Sequence, residues 1–318
     1  MPEHPAAAPA KSTAGTPKRA VRQRVYGQNF LIDRRAIEGL VAGSGVGEGD
    51  LVLDVGAGNG LITEAVARRR ARVVAIERDP ALARRLRARF GPGQGVEAGP
   101  GPEVNAEPGP EVNTEPGPGM KAGRSPGVTV VEGDALTTPL PREPFQVVAN
   151  IPFGITTKIL RRLLGDPSGM LRRADVIVQA EVARKRGTPG RGTLLNACWE
   201  PWFEFGVGQR IPRAAFRPQP RVDAAVLIAR RRRDPLLDPA VQREYTDFVT
   251  RAFTDSHPTV ASALSQAIGR TRFAALAAEL GFGAGALPGQ LDVGQWAGLF
   301  QATRWLHAGG RRPRPPGS

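Results

Sequence analysis

Cysteine is nearly absent from this chain: Cys198 stands alone among 318 residues, and there are three histidines. A disulfide framework is excluded, and a metal site is not expected from so few thiol and imidazole ligands. Long apolar runs are missing too. No stretch approaches the roughly 20 residues needed to span a bilayer. The segment 1–20 is rich in proline and alanine and lacks the continuous apolar core of a secretory leader. Acidic residues are in deficit: 44 Lys+Arg face 30 Asp+Glu, giving a formal net charge of +14 and a pI of about 11.2. A polyanion is therefore the expected partner and a membrane is not, although the abundance of Ala, Arg, Gly and Pro also suits a GC-rich genome. These features describe a soluble, cytoplasmic protein without metal, long enough for one large domain and one small one.

What is present begins with a basic arm, 1–24, carrying Lys11, Lys18, Arg19, Arg22 and Arg24 without apolar periodicity, and expected to be disordered. Tyr26-Gly27-Gln28-Asn29-Phe30-Leu31 follows, ahead of a helix starting after Asp33; by itself the hexapeptide also suits a plain capped helix start. Leu51–Val55 reads as a buried strand, Gly56-Ala57-Gly58-Asn59-Gly60 as a tight turn, residues 61–67 as a helix, and Val73–Ile76 as a second strand closing on Glu77. Strand, glycine-rich turn, helix, strand and acidic end in this order make a nucleotide-binding βαβ unit. Glycines admit a ligand close to the backbone, and Glu77 falls where it can accept from both hydroxyls of a ribose. The dinucleotide fingerprint would need a third glycine at position 61, which is leucine.

A helix over Pro80–Phe90 buries Leu82 and Leu86. Residues 91–127 then hold two consecutive octapeptides, GPEVNAEP (101–108) and GPEVNTEP (109–116), in a Gly/Pro-dominated stretch. Almost nothing in it can be buried, so it is expected to be a disordered surface insertion. Its charge of −3 leaves the rest of the chain at +17. A third strand, Val128–Val131, ends near Asp134, where a carboxylate could accept from an exocyclic amine. A fourth, Phe145–Ala149, runs into Asn150-Ile151-Pro152-Phe153. Asn150 sits at a carboxyl strand end, the ligand edge of an open α/β sheet; Pro152 stops the strand, and an aromatic ring follows. A carboxamide, a turn exposing carbonyls and a ring face suit a flat base carrying an exocyclic amine, though a plain strand end and turn would use the same residues.

Further along, the pattern predicts a helix from Thr156, a strand over Asp175–Gln179, a helix over Thr193–Trp199, strands over Phe203–Val207 and Ala224–Ala229, and a stiff basic loop at 216–223. Trp199 and Trp202 suit core or hinge packing, with base stacking as the alternative. The expected divisions are a sheet domain over 25–233, a small all-helical RNA-binding domain over 234–306 and a disordered basic tail over 307–318.

The glycine-rich loop in its GxGxG form resembles motif I of class I methyltransferases that bind S-adenosylmethionine. The ordered set YGQNFL, DVGAGNG, Glu77, GDA (133–135), NIPFGITT (150–157) and FRPQPRVD (216–223) resembles the rRNA adenine N6-methyltransferases across roughly 25–300. That resemblance implies a Rossmann-like, mostly parallel sheet with a C-terminal helical domain, S-adenosylmethionine as cofactor, and methylation of an adenine N6 amine. Within the family, NIPF, the basic tails and QAEVARKR (179–186) look like the Erm branch, which modifies 23S rRNA and confers macrolide–lincosamide–streptogramin B resistance. The alternative branch dimethylates 16S rRNA and typically carries NLPY; a non-catalytic assembly factor is a third reading. A monomer acting on naked or assembling 23S rRNA is expected.

Carried over by residue, the resemblance implies that Asn29 and Leu31 hold the methionine end or close over the cofactor. Gly56 would approach it, with Gly58 and Gly60 shaping the turn. Glu77 would hold the ribose, Asp134 the adenine amine, and Asn150 would stand beside the sulfonium. Asn150, Ile151, Pro152 and Phe153 would form the catalytic tetrapeptide. The family more often has proline at the position of Ala57.

Overall fold

A computed structural model describes residues 29–91, 127–188, 192–254 and 258–307. The proposed basic arm, nearly all of the insertion and nearly all of the basic tail lie outside the described residues. Nine strands are described: β1 (Phe30–Leu31), β2 (Leu51–Val55), β3 (Arg72–Glu77), β4 (Val128–Glu132), β5 (Phe145–Asn150), β6 (Leu171–Gln179), β7 (Phe203–Ile211), β8 (Phe216–Arg217) and β9 (Ala224–Arg231). Between and after them come α1 (Arg34–Ser44), α2 (Leu61–Ala67), α3 (Pro80–Phe90), α4 (Thr156–Leu164), α5 (Ala180–Gly187) and α6 (Leu194–Trp199). The C-terminal helices are α7 (Gln242–Ala252), α8 (Val260–Ile268), α9 (Arg270–Glu279) and α10 (Val293–His307).

Seven strands form one sheet in the order β4-β3-β2-β5-β6-β9-β7. Pairs from β4 to β6 are parallel, and β9 runs antiparallel to both neighbours. β2, β3 and β5 read as continuous apolar runs because helices cover both faces of a parallel sheet. The order reverses between β2 and β5, so a crevice must open there at the carboxyl ends of the strands. The insertion leaves this edge intact: Glu77 pairs with Glu132 in parallel register, and the Gly133 N–H donates to the Glu77 carbonyl at 3.0 Å. Its flanks, Gly91 and Gly127, lie at the opposite end, where the Gly127 carbonyl accepts from Val73 at 3.0 Å.

Helix starts follow their caps. Asp33 accepts from the Arg35 and Ala36 N–H groups, and Asp79 from Ala81 and Leu82 with Pro80 next in line. β7 departs from its sequence reading. The pattern ends the strand at Val207, but it continues to Ile211 through a bulge between Val207 and Arg210. Trp199 and Trp202 are both buried. A single apolar cluster runs from β5 and β6 through Trp202 into α7–α10, so the core crosses position 234 without a break. Tyr245 is its hinge: its ring stands edge-on to Trp202 at 5.6 Å and to Phe300 at 5.2 Å, and its hydroxyl donates to the Ala197 carbonyl. Such pairs add about 0.5–1.5 kcal/mol each beyond area burial.

Candidate active site

The crevice at the sheet reversal is an open, largely apolar cleft with a few polar groups converging on it, the form of a small-molecule site. Four strand ends meet there. β2 supplies Gly56 and Gly58, β3 Glu77, the turn after β4 Asp134, and β5 Asn150, Ile151, Pro152 and Phe153; Asn29 closes the near side. Two residues assigned to the cofactor do not line it. Leu31 is 3% exposed and packs in the core beneath α1, while its neighbour Phe30 faces the cleft. Successive residues of a strand point to opposite faces, so only the backbone of Leu31 remains available to a ligand in the cleft. Gly60 shapes the turn from behind: its φ is +77°, and a Cβ there would sit 2.6 Å from Leu86 of α3.

The glycine-rich loop states what kind of ligand it takes. Phosphate-binding loops aim backbone N–H groups at the anion. Here Gly56 and Ala57 both donate to the Ile76 carbonyl, at 2.9 and 3.1 Å, and Gly58 donates to Glu77 Oε2 at 2.8 Å. The donors point into the protein, and a carboxylate stands where a phosphate would need positive potential. Gly58, at φ +58°, offers a bare α-carbon under the Phe30 ring, whose edge would meet an added Cβ at 3.0 Å. The loop therefore fits a nucleoside lacking phosphate.

Glu77 holds this arrangement by both oxygens, since Oε1 accepts from the Asp79 N–H at 2.7 Å. Burial pushes its carboxyl up, and the N–H bonds from Asp79 and Gly58 oppose that. Asp134 Oδ1 accepts from Leu136 N–H, and Oδ2 lies 3.4 Å from Arg78. Ala135, Leu136 and Ile76 give the same end of the cleft apolar walls. Arg162 of α4 donates to the Leu136 and Thr138 carbonyls, tying this loop to the helix that follows the NIPF tetrapeptide.

Asn150 is oriented by its amide nitrogen, which donates to the Asn29 carbonyl at 2.8 Å. That leaves Oδ1 as the free end of the carboxamide, with no donor on it among the described residues. Ile151 N–H donates to Ile177 on β6 at 3.3 Å, while its carbonyl, among the described residues, receives no donor. Phe153 opens a 3-10 turn, Phe153–Ile155, and stands edge-on to Phe216 at 6.5 Å. Phe216 belongs to β8, which pairs with β1 as Leu31↔Phe216 and Phe30↔Arg217. Residues 30–31 and 216–217 thus form one two-stranded brace behind the tetrapeptide.

Asp54, beneath the loop, was not singled out by the sequence reading. It is fully buried; Thr63 Oγ1 donates to Oδ2 at 2.6 Å, and among the described residues Oδ1 receives no hydrogen bond. Burial pushes its carboxyl up from 3.8 to about 7, with the Thr63 bond opposing and the Glu77 charge reinforcing. The unfolded chain releases this proton near pH 4, whereas the folded one keeps it to about pH 7. Stability should therefore fall as pH rises through that window, by on the order of 4 kcal/mol from this group. Asp54→Asn is expected to raise the melting temperature at pH 8 and to leave it nearly unchanged at pH 4, read by thermal melts at both.

Among the described residues no cluster of His, Cys, Asp and Glu could hold a metal ion, and no helix is long and apolar enough to cross a membrane. A sheet of this order with a donor-poor glycine loop and an acidic second strand end defines a class I methyltransferase. Residues 20–303 match the family described as ribosomal RNA adenine dimethylase, and the chain belongs to it. It is 35% identical to the mycinamicin-resistance protein MyrB of Micromonospora griseorubida, over 92% of this chain and 81% of that one. To an rRNA methyltransferase of Streptomyces thermotolerans it is 36% identical, over 88% and 83%. The crystal structure of the 23S rRNA methyltransferase ErmE superposes with a TM-score of 0.69 at 31% identity, over 87% of this chain and all of that one. S-adenosylmethionine is the methyl donor of this enzyme class, and the residues of the cleft fit it: the glycine loop offers no phosphate site, and the carboxylates of Glu77 and Asp134 offer acceptors to hydroxyl and amine groups.

Proposed function

We propose that this protein methylates the N6 amine of one adenine in 23S rRNA in the cytoplasm, acting as a monomer, and so confers resistance to macrolide–lincosamide–streptogramin B antibiotics. The observation that carries the chemistry is the tethered Asn150, which lines one cleft with Ile151 and Phe153. The target assignment is supported by relatives named for mycinamicin resistance and for 23S rRNA methylation.

When bound, S-adenosylmethionine supplies an electrophilic methyl group on a sulfonium. Glu77 holds the ribose with the lone pairs its two backbone bonds leave open. Asp134 accepts from the adenine amine between the apolar walls of Ile76 and Leu136. Asn29 and Phe30 close over the methionine end. On the substrate side the problem is a weak nucleophile, because the N6 lone pair is delocalised into the purine. Asn150 Oδ1 and the Ile151 carbonyl each accept one N6 hydrogen, which draws the nitrogen towards a pyramidal shape and aims its lone pair at the methyl. Phe153 stacks on the extruded base. Positioning and exclusion of water carry the rate.

Base–aromatic stacking is worth roughly 1–3 kcal/mol. Phe153→Ala should therefore raise the RNA KM by about tenfold or more, while Phe153→Tyr, which keeps the ring face, should stay within about threefold of wild type; steady-state methylation of a 23S transcript reads both. The target is tested by incubating the protein with labelled S-adenosylmethionine and naked 23S or 16S rRNA. Label is expected in 23S, and label only in 16S adenines would replace this reading by small-subunit dimethylation.

A further inference from the structure

One strand beyond Asn150 the same edge of the sheet opens a second cleft, of about 640 Å³. Asn150 pairs with Ile177 on β6, and β6 ends two residues later at Gln179. With strands about 4.8 Å apart and a rise of about 3.3 Å per residue, Gln179 lies roughly 8 Å from Asn150 along the backbone lattice. That is a separation for adjoining nucleotides, not distant ones.

Four guanidinium groups border this cleft: Arg184 on α5, Arg210 at the end of β7, and Arg213 and Arg221 in the segment before β9. Two carboxylates face them. Asp223 is occupied, accepting from Arg210 at 2.6 Å and from the Arg213 backbone N–H at 3.0 Å; Glu181 is the other. Among the described residues neither Arg184 nor Arg221 has a carboxylate partner, and Arg184 reaches only a carbonyl of its own helix at 3.5 Å. Beside these cations two β-branched side chains stand open to solvent, Val207 at 41% and Val222 at 46% exposure. The Gln179 carboxamide lines the same cleft. It occupies the N-cap of α5 yet caps no N–H, and among the described residues no group bonds to it.

Unpaired guanidinium groups suit phosphates, exposed valines suit a sugar or base face, and a free carboxamide offers one acceptor and one donor edge to a base. Arg184 also walls a further cleft that reaches Lys185, Thr193 and Gly289, so a strand leaving this place runs towards the C-terminal helices. We propose that this cleft is the subsite for the nucleotide next to the target adenine, with Gln179 reading its base edge and Arg184 and Arg221 holding phosphates. The inference rests on the RNA-methylating reading above and adds a second, sequence-selecting position to it.

The test uses the full chain, labelled S-adenosylmethionine and a hairpin transcript around the 23S adenine that takes label. Replacing a nucleotide adjoining that adenine with an abasic site should raise KM by about tenfold, on the scale of one base contact, while an abasic site four positions away should not. Gln179→Leu should flatten the preference among the four bases at the adjoining position. Arg184→Ala with Arg221→Ala should reduce the slope of log affinity against log salt by about 1.4, at roughly 0.7 per phosphate contact, with the affinity for S-adenosylmethionine unchanged. An enzyme indifferent to the adjoining nucleotide would overturn the proposal, and so would folded variants with wild-type base preference and salt slope. The abasic substrates keep the test decisive even where a variant folds poorly, because they need only the wild-type protein. A wild-type protein that labels only 16S rRNA overturns the target reading instead, and the same substitutions are then made around the labelled 16S adenine.

Discussion

Asn150→Ala is expected to slow methyl transfer by about 10²–10³-fold, the scale on which loss of one group aligned with the reacting atoms acts, with a smaller loss of S-adenosylmethionine affinity from the freed Asn29 end. The separation follows from the geometry. The cofactor end of the cleft is built by Gly56, Gly58, Glu77 and Asp134 on other strands, and removing the Asn150 amide leaves their mutual bonds untouched. What is lost is one of two acceptors for the N6 hydrogens and the tether to the Asn29 carbonyl. Asn150→Asp sharpens the point. It keeps an acceptor but sets a carboxylate oxygen against that carbonyl, so it should fall between asparagine and alanine. Single-turnover rates with saturating RNA and calorimetric titration of S-adenosylmethionine measure the two effects separately.

Glu77→Gln should be the most damaging change on the cofactor side, although it alters no volume. The carboxylate accepts from Gly58 N–H at one oxygen and from Asp79 N–H at the other. An amide has one acceptor and one donor end, so one backbone N–H would face another N–H inside a buried site, and a stranded buried donor costs about 1–3 kcal/mol. That penalty falls on the loop that underlies the cofactor and on the start of α3. We expect the dissociation constant for S-adenosylmethionine to rise by about 100-fold and the melting temperature to fall by several degrees, read by calorimetry and thermal melts. A Glu77→Gln protein with wild-type affinity would mean that the carboxylate organises neither the loop nor the ribose.

The strand ends are the most legible part of the chain. Buried parallel strands announce themselves as apolar runs, and the residue after each run must lie at the ligand edge, so Gly56, Glu77 and Asn150 can be placed from the amino-acid order alone. Long-range pairing is not legible. β1 and β8 are two residues each and meet across 185 positions, and no local pattern says that Leu31 pairs with Phe216. For the same reason the choice between Phe30 and Leu31 cannot be made from alternation. Asn29 is recognisable, but its part in orienting Asn150 is played by the backbone carbonyl, which every residue has. Asp54 is hidden inside an apolar run, and Gln179 looks like an ordinary strand end. The continuation of β7 past Val207 is not legible because a bulge interrupts the alternation there.

The central claim is that the Asn150–Phe153 strand end directs methyl transfer to an adenine N6 amine. Nucleoside mass spectrometry of 23S rRNA treated with the protein and S-adenosylmethionine tests it most directly. N6-methylated adenosine is predicted at one position with wild type, and its near-absence with Asn150→Ala. Methyl groups on a ribose hydroxyl or a ring carbon, or an undiminished N6 product from Asn150→Ala, would contradict it.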